Sequence, residues 1–543
     1  MIDFNAHPDR YHHWRLTFDG PVARLEMVVD PDHPFAPGKY ELKLNSYDLG
    51  VDIELQDAVQ RVRFEHPETK VLVVTSGRDR VFCAGANIPM LATSPHAFKV
   101  NFCKFTNETR LSLEDASRTS GIKTIAALNG TSAGGGYELA ISCDEIYLVD
   151  DGNSVVSLPE VPLLGVLPGT GGLTRLVDKR KIRRDQADMF STLAEGVKGK
   201  RAKAWSLIDD YFPKSRFAEK VQERALALAK AAPDKAGPGI QLRPIEPQVD
   251  GNTYAYEFVR LEVDPEQRLA RLTVTAPSTP QPTTPAQYAS VGDQAWAVKA
   301  FRELDDALLH LRFEHSKIGL VLLHTRGDID AVLAVEKNLV AHQDHWLVRE
   351  VIALMARVLR RYELTAKSFF ALAEQGSCFA GSLLELALAG DRIYALDDPD
   401  QPVELAVGPM SGGALPMSHG LTRLQSRFLR TPAQADKLAK EMPRLDAAAA
   451  NDEGLVTVLA DAIDWDDEVR LAIEERLSLS PDALTGMEAS LRFGGAETCD
   501  SKIFGRLSAW QNWIFIRPNA VGPEGALTRY GQPEPARFDW SRT

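Results

Sequence analysis

Cysteine is scarce and unpatterned in this chain: Cys83, Cys103, Cys143, Cys378 and Cys499 are scattered over 543 positions with no CxxC pair. A disulfide framework and a zinc site are therefore not expected, and the cysteines read as free thiols. No apolar run approaches the roughly 20 residues needed to cross a bilayer, and residues 1–16 lack a signal-like hydrophobic stretch. The expectation is a cytoplasmic protein with no membrane partner. There is also no basic run: 62 Lys and Arg stand against 75 Asp and Glu, a formal charge of −13, which argues against nucleic acid as a partner. No GK[ST] follows a glycine loop, and no GxGxxG opens the first βαβ unit, so nucleotide binding of the P-loop or Rossmann kind is not supported.

What is present begins with a long internal repeat. Phe64-Glu65-His66, an apolar strand and Thr75-Ser76-Gly77 recur as Phe313-Glu314-His315, a second apolar strand and Thr325-Arg326-Gly327. Glu138-Leu139-Ala140 and Asp144 recur as Glu385-Leu386-Ala387 and Asp391, and Leu173-Thr174-Arg175-Leu176 recurs as Leu421-Thr422-Arg423-Leu424, all at offsets of 247 to 250. A period this long means two copies of a whole domain rather than a solenoid. The boundaries read as a first domain 1–232, a Pro- and Gly-rich linker 233–252, a second copy 253–460 and a mostly helical extension 461–543. Within each copy short β-rich runs (71–75, 124–127, 145–149) alternate with helical stretches (50–65, 135–141, 183–193, 216–231), which predicts an α/β fold with largely parallel strands.

Two glycine turns in the first copy carry the chemistry. One is Ala84-Gly85-Ala86-Asn87, after a strand; the other is Gly134-Gly135-Gly136, where a strand exits into a helix. Such turns bring a ligand close to backbone N–H groups, and two of them can aim two amides at one oxygen, as in an oxyanion hole. Glycine-rich turns also serve as plain tight turns. Two carboxylates lie nearby in sequence: Glu138, whose apolar flanks Tyr137, Leu139 and Ala140 would raise its pKa if it is buried, and Glu160 in Leu158-Pro159-Glu160-Val161-Pro162.

The phrases VFCAGANI, IAALNGTSAGGGYELAISCDEIYL and SLPEVPLLGVLPGTGGLTRL resemble, in order and spacing, the signatures of the crotonase (enoyl-CoA hydratase/isomerase) superfamily. The resemblance implies tandem ββα-spiral domains and an acyl-CoA thioester substrate. Its carbonyl oxygen would be held by the N–H groups of Ala86 and Gly135, with Ala84, Gly85, Asn87, Gly134 and Gly136 around it. Glu138 and Glu160 would occupy the acid/base positions. Asn87 stands where Asp is common. Cys103 falls in the region that lines the acyl end of the pocket in relatives and is a further catalytic candidate, with inert packing as the alternative.

In the second copy Gly135 becomes Ser382, Gly136 becomes Leu383, Glu160 becomes Gly408 and Ala86 falls near Glu336, so that copy reads as degenerate, with Glu385 inert and a role in packing or pocket closure. The end-to-end resemblance is to a two-copy branch that opens the ring of 2,3-epoxy-2,3-dihydrobenzoyl-CoA to 3,4-dehydroadipyl-CoA semialdehyde and formate in aerobic benzoate degradation. That implies a carbon–carbon lyase without metal or other cofactor, CoA being part of the substrate, and a homodimer. A plain enoyl-CoA hydratase or isomerase and a non-catalytic acyl-CoA-binding scaffold are the alternatives.

Overall fold

A computed structural model describes all of residues 1–543. It divides into two compact units, Asp3–Pro244 and Ile245–Thr543, the latter joined by Met1–Ile2.

In Asp3–Pro244 six strands form one sheet in the order Trp14–Asp19, Val22–Met27, Val71–Ser76, Lys123–Leu128, Glu145–Asp150, Asp210–Pro213. The first two make an antiparallel hairpin and every later pairing is parallel. Val71-Leu72-Val73-Val74 is buried throughout, as expected for a parallel strand covered on both faces. One face packs on the helix Lys214–Ala231 through Phe217, Val221, Ala225 and Ala229. Each such side chain removed from water contributes on the order of 1–3 kcal/mol. A second, three-stranded parallel sheet of Arg80–Cys83, Gly130–Ala133 and Val156–Ser157 carries the two glycine turns at its strand exits. The expected α/β alternation is observed here; the opening hairpin and the long helix His96–Thr119 were not anticipated from sequence.

The helix Gly135–Ser142 follows the triple glycine and is buried along its whole length. Its C-terminal carbonyls are met by a cation: Lys179 Nζ donates to Ser142 O at 2.7 Å, a favourable position against the helix dipole.

In Ile245–Thr543 an eight-stranded sheet contains the same sequence of pairings. Val259–Asp264 and Leu269–Thr275 are antiparallel; Leu320–Arg326, Ser368–Ala373, Arg392–Asp397 and Val458–Asp461 then add in parallel. Helices Trp465–Ser478 and Pro481–Leu491 follow. Trp465, Val469, Ile473 and Leu477 of the first pack on the sheet residues Leu320, Leu322, Phe370 and Tyr394. A buried carboxylate, Glu488, ties the chain end down: it accepts from Arg476 Nη1 at 3.1 Å, from Arg542 Nη2 at 2.6 Å and from the Ser368 hydroxyl. Leaving any partner of this charge network unpaired carries a large desolvation cost.

Candidate active site

The first glycine turn is held from behind. Tyr47 N donates to Gly85 O at 3.0 Å, and Asn87 N donates to Tyr47 O at 2.8 Å. Tyr47 thus bridges to Ala86 in the parallel sense, a pattern in which the residue between the two bonds turns its own N–H away from the partner strand. Asn87 is spent on structure. Its Oδ1 accepts from Met90 N at 2.9 Å, capping the helix Ile88–Thr93, and its Nδ2 donates to Glu41 O at 2.7 Å and Ser46 Oγ at 3.3 Å. It is a buried positioning residue for the turn. Ala84 is exposed, and its amide donates to Leu44 O.

The second turn lies against the first. A Cβ on Gly85, whose φ is +92°, would stand 3.0 Å from Gly135 N and 2.9 Å from Ala133 O. Gly136 packs on Cys83, where a Cβ would come 2.5 Å from the carbonyl oxygen. Only glycine allows approaches this close, and at Gly85 the positive φ adds to the requirement. Gly135 is the first residue of its helix, so its N–H has no intrahelical partner. Neither the Ala86 nor the Gly135 amide makes a hydrogen bond to the protein. Two unengaged donors, one with a helix dipole behind it, stand at adjacent turns.

Both carboxylates come to the same turns, by different routes. Glu138 is 2% exposed, and its Oε1 accepts from Thr170 N at 2.9 Å and Gly172 N at 2.8 Å, which fixes one oxygen and leaves the other available. The loop supplying those amides is itself clamped. Arg175 Nη1 donates to Thr170 O at 2.7 Å, Arg175 pairs bidentately with Glu114, and Asn107 Nδ2 donates to Gly169 O.

Glu160 is 9% exposed and opens a π-turn, Glu160–Leu164, closed by Gly165 in the left-handed region. Its Oε1 lies 2.6 Å from where a Cβ on Gly134 would be, and its buried Oε2 has no hydrogen-bond partner. Burial raises this carboxyl from the ordinary 4.5 to about 7, with the nearby Glu138 charge adding to the effect.

Cys103, on the helix His96–Thr119, is partly buried and packs on the Glu138 loop, its Sγ 3.3 Å from where a Gly169 Cβ would stand. Burial pushes its thiol up to about 11, so it stays protonated at neutral pH.

Sequence reasoning missed the Thr170 and Gly172 amides, the Glu114–Arg175 clamp and Tyr47. One signal was available: Arg175 and Arg423 recur together in the repeat, a matched arginine 37 and 38 residues beyond Glu138 and Glu385.

The corresponding positions of Ile245–Thr543 are filled differently. Gly381 again has a positive φ, +49°, but the Ser382 amide after it donates to Glu336 Oε1, and Met410 N donates to Oε2 at 3.4 Å. A Cβ on Gly408 would lie 2.2 Å from Glu336 Oε2. Glu336 is fully buried, which raises it to about 7. Glu385 is tied to Arg423 at 3.1 Å, and Arg423 also pairs with Glu363 at 2.6 Å. The cradle formed by these turns is occupied by the protein's own carboxylate.

Comparison with known proteins places these features. The family model for enoyl-CoA hydratase/isomerase matches residues 41–237. The benzoyl-CoA-dihydrodiol lyase of Aromatoleum evansii is 54% identical over 545 aligned residues, covering 100% of this chain and 98% of that protein. The fatty acid oxidation complex subunit alpha of Shewanella loihica is 37% identical over 164 residues, covering 30% of this chain and 22% of that protein. Among solved structures, the enoyl-CoA hydratase from Thermoplasma volcanium GSS1 is 27% identical with a TM-score of 0.34, covering 40% of this chain and 78% of that one.

Proposed function

Because the chain belongs to the enoyl-CoA hydratase/isomerase (crotonase) family, we propose that its unengaged amides and buried carboxylates serve ring cleavage of an aromatic acyl-CoA epoxide. The substrate is 2,3-epoxy-2,3-dihydrobenzoyl-CoA, and the products are 3,4-dehydroadipyl-CoA semialdehyde and formate. The enzyme is a carbon–carbon lyase of benzoyl-CoA degradation. The observation that carries this reading is the 54% identity, end to end, to the Aromatoleum evansii lyase.

The geometry is compatible with one division of labour. The N–H groups of Ala86 and Gly135 hold the thioester oxygen as negative charge develops on it, a contribution worth about 10²–10³ in rate per donor. Glu160, close to half protonated near pH 7, gives a proton to the opening epoxide oxygen. Glu138, held through Oε1 alone, takes a proton from attacking water with Oε2. Cys103 enters as a thiol that lines the site beside the Glu138 loop. Leu163, Leu164, Val166 and Leu167 are exposed beside Glu160 and offer apolar surface to the ring, whose docking withdraws water from that carboxyl. The reaction adds two waters and transfers no electrons to another molecule, so this reading calls for no redox cofactor.

Ile245–Thr543 we read as a degenerate crotonase-like domain with a helical extension, silenced where Glu336 fills the cradle and Arg423 neutralises Glu385. Incubation with epoxybenzoyl-CoA is expected to release formate and the semialdehyde, with little hydration of crotonyl-CoA. Hydration without formate release would favour an ordinary hydratase; tight CoA-ester binding with no turnover would leave only a scaffold.

A further inference from the structure

Tyr47 does more than hold the first glycine turn through its backbone. Its side chain reaches the other turn: a Cβ on Gly135 would lie 2.0 Å from the Tyr47 hydroxyl. In a residue with helical φ near −63° the N–H bond and the Cα–Cβ direction are nearly eclipsed. The hydroxyl therefore sits on the side of Gly135 toward which that residue's amide hydrogen points. The Gly135 amide stays without a backbone partner beside it. Tyr47 is 1% exposed, so its ring is packed in place with the hydroxyl beside Gly135.

We propose that the Tyr47 hydroxyl is a third donor to the oxygen held by the Ala86 and Gly135 amides, which makes Tyr47 a catalytic residue of this site. The surroundings suit that role. Burial holds the phenol well above its ordinary 10, so it remains a donor throughout the working pH range. The guanidinium of Arg110 lies over the ring, 5.1 Å from its centroid, and is itself fully buried and anchored on Asp52 at 2.6 Å. A cation against one face of the ring fixes the plane of the phenol and makes its O–H a better donor toward developing negative charge.

This inference rests on the oxyanion reading given above, and the test separates the two. The probe is acetoacetyl-CoA, whose enolate has its own ultraviolet band. Bound to the wild-type protein it is expected to show that band, and epoxybenzoyl-CoA is expected to yield formate. Tyr47→Phe keeps the ring and its contact with Arg110. It is expected to lose most of the enolate band and to lower kcat for formate release on the order of 10²-fold, with KM changed far less. Tyr47→Phe behaving like wild type in both band and kcat, with unchanged melting, would overturn the role of Tyr47 while leaving the amide pair intact. A wild-type protein that neither enolises the probe nor releases formate would instead overturn the reading beneath it. If Tyr47→Phe melted early, kcat and the band measured well below its midpoint would decide between these outcomes.

Discussion

Replacing Glu160 by Gln is expected to move activity and stability in opposite directions. Burial and the neighbouring Glu138 raise this carboxyl from the ordinary 4.5 to about 7 in the folded protein, so the native state binds its proton more tightly than the unfolded chain does. The stability tied to that proton is complete below pH 4.5, drains away as pH rises toward 7, and is absent above it. The span corresponds to about 3 kcal/mol. Gln cannot ionise and therefore escapes this loss: the variant should match wild type near pH 4.5 and exceed it by up to about 3 kcal/mol at pH 8. In a unit of this size that is a rise in melting temperature of about 6–12 °C. Activity should fall by about 10²–10⁴-fold, the usual contribution of a positioned general acid, and the decline of wild-type kcat/KM above about pH 7 should vanish from what remains. Melting followed from pH 4.5 to 8, beside formate release over the same range, measures both. A Glu160→Gln protein that is no more stable at pH 8 than wild type, or that keeps near wild-type formate release, would refute the assignment of a raised, catalytic carboxyl.

Other substitutions test the surroundings. Gly134→Ala places a Cβ 2.6 Å from Glu160 Oε1 at a φ of +53°, so it should displace that carboxyl and cost about 1–3 kcal/mol in backbone strain, seen as lost formate release together with an earlier melt. Glu336→Ala strips the acceptor from the Ser382 amide and leaves a buried cavity; the unit Ile245–Thr543 should lose about 2–4 kcal/mol while kcat is unchanged, and a matching fall in kcat would mean that this unit takes part in the chemistry. Cys103→Ala should keep activity within about tenfold, because a thiol with its pKa near 11 supplies almost no thiolate at pH 7; iodoacetamide should label the exposed Cys499 first, as mass spectrometry of the peptides would show.

Much of this protein is determined by sequence alone. The repeat at offsets of 247 to 250 points to two copies of one arrangement, because a matching order of strands, turns and helices needs matching apolar runs and breakers. The same logic marks the glycine turns at Gly85 and Gly134–Gly136, where close backbone approach excludes a side chain, and it places Glu138 one helical turn beyond them. The losses in the second copy, Ser382 for Gly135 and Gly408 for Glu160, are equally plain from the aligned letters. Tertiary structure decided the rest, because burial and the direction of an amide depend on chain segments far apart in sequence. It raised the pKa of Glu160 by burying it against Gly134; it anchored Glu138 with amides from a loop more than thirty residues away; it brought the Tyr47 hydroxyl to Gly135; and it placed the Glu336 carboxyl on the Ser382 amide in Ile245–Thr543. Residue type offers the donors and acceptors, and only the packed chain determines which of them are left without a partner and therefore available to a substrate.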